Sequence, residues 1–322
     1  MKAVVSDKYG SPDVLELKNV ERPAPLDHQV LVKIHATSLN FGNLVLLKGE
    51  PYLARLAFGL RKPKYRIPGG DIAGCVEAVG KNVKQFQPGD EVFGDLSSCG
   101  WGGFAEYVSV PESALAKKPS NITFEEAAAS PMAGTTALQG LREKGKIKSG
   151  QKVLINGASG GVGTFAVQIA KSFGAEVTGV CSSRNIDILQ SIGADHVIDY
   201  SREDFTQREE RYDLILGVNG SQSLSAYQRL LKPNGKFIHV GGSESQMYQT
   251  LFLGPILSMT GKRKMTNFLQ KANQKDLEHL GKLLEEGKVK PVIDRCYQLS
   301  EIPEAFRYFE KGHAQGKVVI VF

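Results

Sequence analysis

The stretch Val153-Leu154-Ile155-Asn156-Gly157-Ala158-Ser159-Gly160-Gly161-Val162-Gly163 constrains this chain more than any other part of it. Residues 153–156 form a continuous apolar run closed by Asn, the signature of a parallel strand buried on both faces. Small residues follow at once, and residues 162–173 then carry an apolar stripe, Phe165, Ile169 and Ala170, at helical spacing. Residues 175–181 read as the next strand. A small residue at Ala158 suits the tight strand-to-helix turn. Gly160 keeps a Cβ out of the way of an approaching ligand, and Gly163 lets the helix pack close on the strand. Ser159, Gly160, Gly161, Val162 and Gly163 thus present free N–H groups and a positive dipole end to a phosphate. A glycine pattern alone is weak evidence. Set inside a complete strand–helix–strand unit, it predicts a dinucleotide-binding site.

Which dinucleotide is read further on. A carboxylate about 20 residues past the glycines would bind an unphosphorylated ribose. That place holds Cys181-Ser182-Ser183-Arg184-Asn185, with no carboxylate to repel a 2′-phosphate. Ser182, Ser183 and Arg184 supply hydroxyls and a guanidinium that fits a phosphate. Residues Ser182 to Asn185 also suit a cap for the next helix, and both roles can hold together. The expected cofactor is NADPH.

At 322 residues the chain exceeds one typical core and suits two domains. Residues 1–122 are rich in Gly, Pro and short alternating strand patterns, and predict a β-rich, barrel-like domain. Thr123-Phe124-Glu125-Glu126 is a capped helix start with an acidic first turn. A second helix is expected from Gly134-Thr135-Thr136 to Glu143. Strands and helices then alternate through residue 269, which predicts a doubly wound parallel α/β sheet of Rossmann type. In that region Pro233-Asn234-Gly235 is read as the stop between a helix and a strand starting at Lys236. Residues 270–322 hold two amphipathic helices and a closing strand, and are expected to rejoin the first domain.

The net charge of +6 comes from scattered residues, apart from Arg61-Lys62-Pro63-Lys64 and Lys262-Arg263-Lys264, read first as solvated surface. No nucleic-acid partner is expected. Of the 4 cysteines none forms a metal-like pair, which fits a reducing, cytoplasmic setting. No apolar run is long enough for a transmembrane segment, and loose association with a membrane surface stays open.

Several motifs in order then carry a resemblance. They are Thr37-Ser38-Leu39-Asn40-Phe41, Pro68-Gly69-Gly70-Asp71-Ile72-Ala73-Gly74, Pro88-Gly89-Asp90-Glu91-Val92-Phe93-Gly94, Ala133-Gly134-Thr135-Thr136-Ala137, the phosphate loop, Gly193-Ala194-Asp195 and Gly312-His313-Ala314-Gln315-Gly316-Lys317-Val318-Val319. With these the chain resembles the zinc-free quinone oxidoreductase branch of the medium-chain dehydrogenase/reductase superfamily, and is similar to plastid-envelope quinone oxidoreductase-like proteins. The resemblance implies a GroES-like catalytic domain, a Rossmann domain with a cleft between them, and a homodimer joined near residues 264–269. It also implies NADPH-dependent reduction of quinones, enones or alkenals. Zinc-dependent members need a Cys where Asn40 stands and Gly-His-Glu where Gly70-Asp71 stands. A structural zinc needs four clustered ligands, and residues 90–119 offer only Cys99. The residues therefore read as metal-free. Many zinc-free relatives carry Asn-x-x-Asp and Arg-x-Gly, where this chain has Asn40-Phe41-Gly42-Asn43 and Leu47-Lys48-Gly49.

Without a Lewis acid, conjugate hydride transfer to an activated double bond is the chemistry expected. Asn40 is the polar candidate at the nicotinamide end, for a ribose hydroxyl or a substrate carbonyl, with an Asx turn as the alternative. Tyr52 is a candidate carbonyl donor or a packing aromatic. Thr135 is a cofactor contact or a helix N-cap. Tyr200 resembles the family tyrosine near the 2′-phosphate. Asn219 and Val240-Gly241-Gly242-Ser243 lie at strand C-termini, where doubly wound sheets bind ligands. His313 and Lys317 belong to the C-terminal motif, as cofactor contacts or structural residues. A zinc-free alcohol or ketone reductase, and a cofactor-sensing binding protein, are the rival readings.

Overall fold

The computed structural model describes residues 1–219, 222–242, 249–251, 254 and 263–322. They form two compact units, one of residues 1–135, 271–287 and 291–322, the other of residues 136–270 and 288–290.

The first unit holds β1 (Lys2–Val5), β2 (Glu16–Asn19), β3 (Gln29–Ser38), β4 (Asp71–Val79), β5 (Glu91–Asp95), β6 (Tyr107–Pro111) and β7 (Leu115–Lys117). Strands β1 and β2 pair with each other, while β3, β4, β5 and β7 run in sequence across a larger, mainly antiparallel sheet with β6 against β3. The chain returns to this sheet at its end. Gly316-Lys317-Val318-Val319 enters a strand whose Val319 lies opposite Ser38 of β3. Alternation in the strands sends Val30, Val32, Ile34, Ile72, Val76 and Val92 into one core.

The second unit holds β8 (Lys152–Asn156), β9 (Glu176–Cys181), β10 (His196–Asp199), β11 (Tyr212–Gly217), β12 (Leu231–His239) and β13 (Lys264–Asn267); β14 (Ile293–Gln298) and β15 (Lys317–Val321) belong to the first. All pairs in the second unit's sheet are parallel, in the order β10-β9-β8-β11-β12-β13. The order reverses between β8 and β11, the point where such sheets open a ligand crevice at the strand C-termini. Val153, Leu154 and Ile155 are fully buried, as a central strand requires.

Local chemistry explains the boundaries. Thr123 caps the helix Phe124–Ala129: its Oγ1 accepts from the Glu126 N–H at 3.2 Å, and Glu126 Oε2 accepts from the Thr123 N–H at 3.0 Å. The next helix, Pro131–Gln139, starts earlier than expected, with proline at its first position where the missing N–H costs nothing. It ends at Gln139 and gives way to a wider π-type turn over Gly140–Gly145. Pro233-Asn234-Gly235 is not a stop. Strand β12 runs through it, with Asn234 in the left-handed region (φ 66) and the pairing skipping from Tyr212–Leu231 to Leu214–Lys236, a bulge that absorbs the proline.

Candidate functional site

At the end of β8 the chain reverses at Gly157, whose φ of 83° no other residue type adopts cheaply. A Cβ there would stand 2.8 Å from Asn219, so the sharp turn belongs to Gly157 rather than to Ala158, which is buried with its N–H on Val180 O at 3.1 Å. Gly160 is the N-cap of the helix Gly161–Ser172, and its Cβ position has only Gly157 O nearby, at 3.7 Å. That side is open to a ligand. A Cβ on Gly163 would sit 2.1 Å from Gly157 O, so helix and turn touch there. The first-turn N–H groups of Gly161, Val162 and Gly163 have no helical carbonyl to bond. A cradle with one open side and one closed by glycine contact fits the pyrophosphate of a dinucleotide.

Ser159 is tied to the end of β9 by Asn185, the N-cap of the next helix, Ile186–Ser191. Asn185 Nδ2 donates to Ser159 Oγ at 2.8 Å and reaches Ser182 Oγ at 3.4 Å. Asn185 is buried, Arg184 beside it is exposed, and Ser182 keeps its own proton to donate.

Ser183 differs. It donates to Asp199 Oδ2, and its Oγ lies 2.9 Å from Ser201 Oγ. Asp199 ends β10 beside Cys181 of β9, and also accepts from the Ser201 N–H at 3.0 Å and pairs with Arg202 at 3.3 Å. The expectation of no carboxylate near the ribose end is therefore corrected. One is present, supplied by the neighbouring strand. It is buried, and the hydrogen bond from Ser183, then those from Ser201, hold it below the usual carboxylate range. Its charge is spent inward, and Ser183 can offer a ligand only lone pairs. Tyr200, one residue on, is exposed.

At the other strand ends, the Asn219 N–H reaches Asn156 O at 3.2 Å, which seats Asn219 against the Gly157 turn. Asn156 itself is held by Tyr227 Oη at 2.5 Å. The N–H groups of Val240 and Gly241 both go to Gly217 O, at 2.8 and 3.3 Å, and Gly242 is exposed. Ser243 lies outside the described residues.

The first unit contains a buried polar cluster at the junction of β3, β4 and β15. Asp71 Oδ2 accepts from Ser38 Oγ at 2.9 Å and from Asn40 Nδ2 at 2.7 Å, while Oδ1 accepts from the Met132 N–H at 2.9 Å. Lys317 Nζ lies 3.5 Å from Asp71, donates to Leu39 O at 2.9 Å, and donates to Asn40 Oδ1. Asn40 caps the helix Phe41–Lys48, and its backbone N–H donates to Asn43 Oδ1 at 2.8 Å. Its carboxamide is thus anchored at both atoms, with one Nδ2 proton still to donate. Lys317 is only 2% exposed and its ammonium is enclosed by protein acceptors, so it holds Asn40 instead of reaching outward to a cofactor. Burial pulls its pKa below the usual lysine value, and the Asp71 carboxylate opposes that pull.

Three further candidates stand apart from this cluster. Thr135 is mid-helix, not an N-cap, and its hydroxyl turns back to Pro131 O at 2.7 Å. Tyr52 is exposed with the Arg55 guanidinium 4.8 Å from its ring centre. His313 is exposed in the loop before β15. Among the described residues no group of three or more His, Cys, Asp or Glu side chains is arranged to hold a metal, and no helix is long and apolar enough to cross a membrane. The cysteines are all free thiols.

A parallel sheet of dinucleotide-binding type in one unit and a β-rich fold in the other define a two-unit oxidoreductase. Residues 26–120 match the profile of the alcohol dehydrogenase GroES-like domain, and residues 192–320 that of the zinc-binding dehydrogenases. The chain is 35% identical to a chloroplast envelope quinone oxidoreductase homolog of Arabidopsis thaliana, covering 99% of this chain and 98% of that one. It is 34% identical to an NADPH-dependent alkenal/one oxidoreductase, chloroplastic, of the same plant, covering 99% and 79%. Among solved structures, the quinone oxidoreductase from Coxiella burnetii superposes with a TM-score of 0.88 at 32% identity, covering 100% of this chain and 99% of that one. The chain belongs to the quinone oxidoreductase branch of the medium-chain dehydrogenase/reductase superfamily.

Proposed function

We propose that the protein is an NADPH-dependent oxidoreductase that reduces quinones and α,β-unsaturated carbonyls without a metal. The observation that carries this is the ribose end of the dinucleotide site. Arg184 is exposed two positions after Ser182, and the nearby carboxylate, Asp199, is turned inward and bonded. A guanidinium there favours a 2′-phosphate.

When bound, the reduced nicotinamide supplies a hydride to the electron-poor carbon of the substrate. The chain's own residues bind and orient. The N–H groups after Gly160 would hold the pyrophosphate, Ser182 and Arg184 would bind the 2′-phosphate, and Tyr200 and Asn219 would contact the cofactor beside them. Asn40, fixed by Asp71 and Lys317, offers its remaining Nδ2 proton to an oxygen that gains negative charge. Thr135, Val240, Gly241, Gly242 and Ser243 remain proposed cofactor contacts. Tyr52 remains a proposed carbonyl donor, and His313 a proposed cofactor contact. The carboxylate of Asp71 is already engaged by an ammonium and three hydrogen-bond donors, which supports metal-independent chemistry there. Strand β13 forms one end of its sheet, and Leu269 just beyond it is 87% exposed. These two features support a homodimer formed along that edge.

The test is NADPH oxidation with 1,2-naphthoquinone, an alkenal and a simple ketone, side by side, on protein assayed for metal content. Turnover of the quinone and alkenal by metal-free protein is expected. Turnover of the ketone alone, or activity that tracks bound zinc, would overturn the reading.

A further inference from the structure

Residues 51–70 include Arg55, Arg61, Lys62, Lys64 and Arg66, and no Asp or Glu. A short turn, Tyr52–Ala54, leads into the helical turn Arg55–Phe58. Leu53 in the first turn, Leu56 in the second and Leu60 just past its end at Gly59 are 66%, 75% and 69% exposed. Phe58 turns the other way and meets Trp101 edge-on, with ring centroids 6.1 Å apart. The segment is held in place. Tyr9 Oη donates to Gly59 O at 2.6 Å, and Arg55 Nε donates to Gly49 O at 3.0 Å while its guanidinium lies 4.6 Å from the Tyr9 ring centre.

The cations divide by role. Arg55 is occupied by that anchoring, and Arg66 pairs with Asp7 at 2.6 Å. Among the described residues Arg61, Lys62 and Lys64 have no carboxylate partner. With Asp7, Leu60 and Arg66 they line a cavity of about 630 Å³. A surface segment bound for water would carry polar residues outward. Here three leucines are exposed beside cations that no carboxylate neutralises, the composition of a segment that lies in a lipid interface. A nucleic acid would satisfy the cations and leave the leucines in water. An anionic bilayer satisfies both, with headgroup phosphates at the cations and acyl chains at the leucines.

We propose that residues 51–66 are a docking surface for an anionic lipid bilayer, with Leu53, Leu56 and Leu60 entering the boundary between headgroups and acyl chains and Arg61, Lys62 and Lys64 binding lipid phosphates. The full chain is sedimented with sucrose-loaded vesicles of phosphatidylcholine, alone or mixed with phosphatidylglycerol. Binding to the mixed vesicles only, weakening as salt is raised, is expected. Arg61→Gln/Lys62→Gln should weaken it about twenty-five-fold, at roughly fivefold per charge. Leu53→Ser and Leu56→Ser should each weaken it about tenfold. Far-UV circular dichroism identical to wild type establishes that each variant is folded. Equal binding to both vesicle types, no binding to either, or leucine variants that bind like wild type would overturn the proposal. So would capture by a duplex oligonucleotide that is as tight as vesicle binding and indifferent to the leucines. Neither cofactor nor quinone enters this assay, so its failure would leave the oxidoreductase reading standing.

Discussion

Asp71→Asn should destabilise the first unit by about 3–5 kcal/mol, the usual cost of breaking a buried ion pair by removing one partner. Three hydrogen-bond donors and one ammonium converge on this carboxylate: Ser38, Asn40, the Met132 N–H and Lys317. An asparagine offers one oxygen for two positions. If that oxygen takes the place near Lys317, its NH2 faces the Met132 N–H; if it is flipped, the NH2 faces the ammonium. Either choice leaves a buried donor unsatisfied, worth about 1–3 kcal/mol, and leaves Lys317 without its counter-charge. The chain has 1 tryptophan, and Trp101 lies in the same unit against Gly70, where a Cβ would be 3.1 Å from its ring. Urea unfolding followed by Trp101 fluorescence therefore reports this unit separately from the dinucleotide unit. Burial already lowers the Lys317 pKa, and loss of Asp71 lowers it further. Between that lowered value and the ordinary lysine value the unfolded chain holds more protons than the folded one, so stability rises with pH. The deficit of the variant should narrow as pH is raised from neutral toward 10. A loss below about 1 kcal/mol, or a deficit that does not change with pH, would refute the role given to the pair.

Other outcomes follow from the same geometry. Gly163→Ala places a Cβ 2.1 Å from Gly157 O, a backbone atom that cannot step aside. It should cost roughly 1–3 kcal/mol in urea unfolding and weaken NADPH and NADH alike in fluorescence titration; unchanged affinity for both would remove Gly163 from the loop contact. In native protein at pH 8, the exposed Cys296 should react first with a disulfide reagent. Cys99 and Cys181, pushed up to about 12 and about 11 chiefly by burial, should stay protected until urea unfolds the chain, as read by peptide mass mapping. Leu269→Lys puts a charge on a side chain that is 87% exposed in the single chain. It should leave the melting of the chain within about 0.5 kcal/mol and shift sedimentation from dimer toward monomer. A variant that stays dimeric would place the interface elsewhere.

Local signals made much of the fold legible. The apolar run 153–156 with its glycines, and the Thr123–Glu126 capping box, each encode their structure within a few residues. Pro233-Asn234-Gly235 misled because turn chemistry is local, while the bulge that absorbs it depends on pairing with β11. The same distinction separates the site residues. Ser159 and Gly160 could be read from spacing. Asp199 could not, since it reaches Ser183 from the adjacent strand, 16 positions away. Asp71 and Lys317 could be read only as members of two separate motifs, one before β4 and one at the C-terminus. Only the pairing of β15 with β3 brings that lysine to the aspartate and to Asn40. Asn185 was the one missed residue with a local clue, a buried amide three positions after Ser182.

The central claim is that the ribose end of the dinucleotide site welcomes a 2′-phosphate. Fluorescence titration of wild type and Arg184→Ala with NADPH and NADH tests it most directly. NADPH should bind at least tenfold more tightly to wild type, and the variant should lose roughly ten- to hundredfold for NADPH with little change for NADH, the range expected for a hydrogen bond to a charged group. Equal affinities in the wild type, or an equal loss for both cofactors in the variant, would contradict the account.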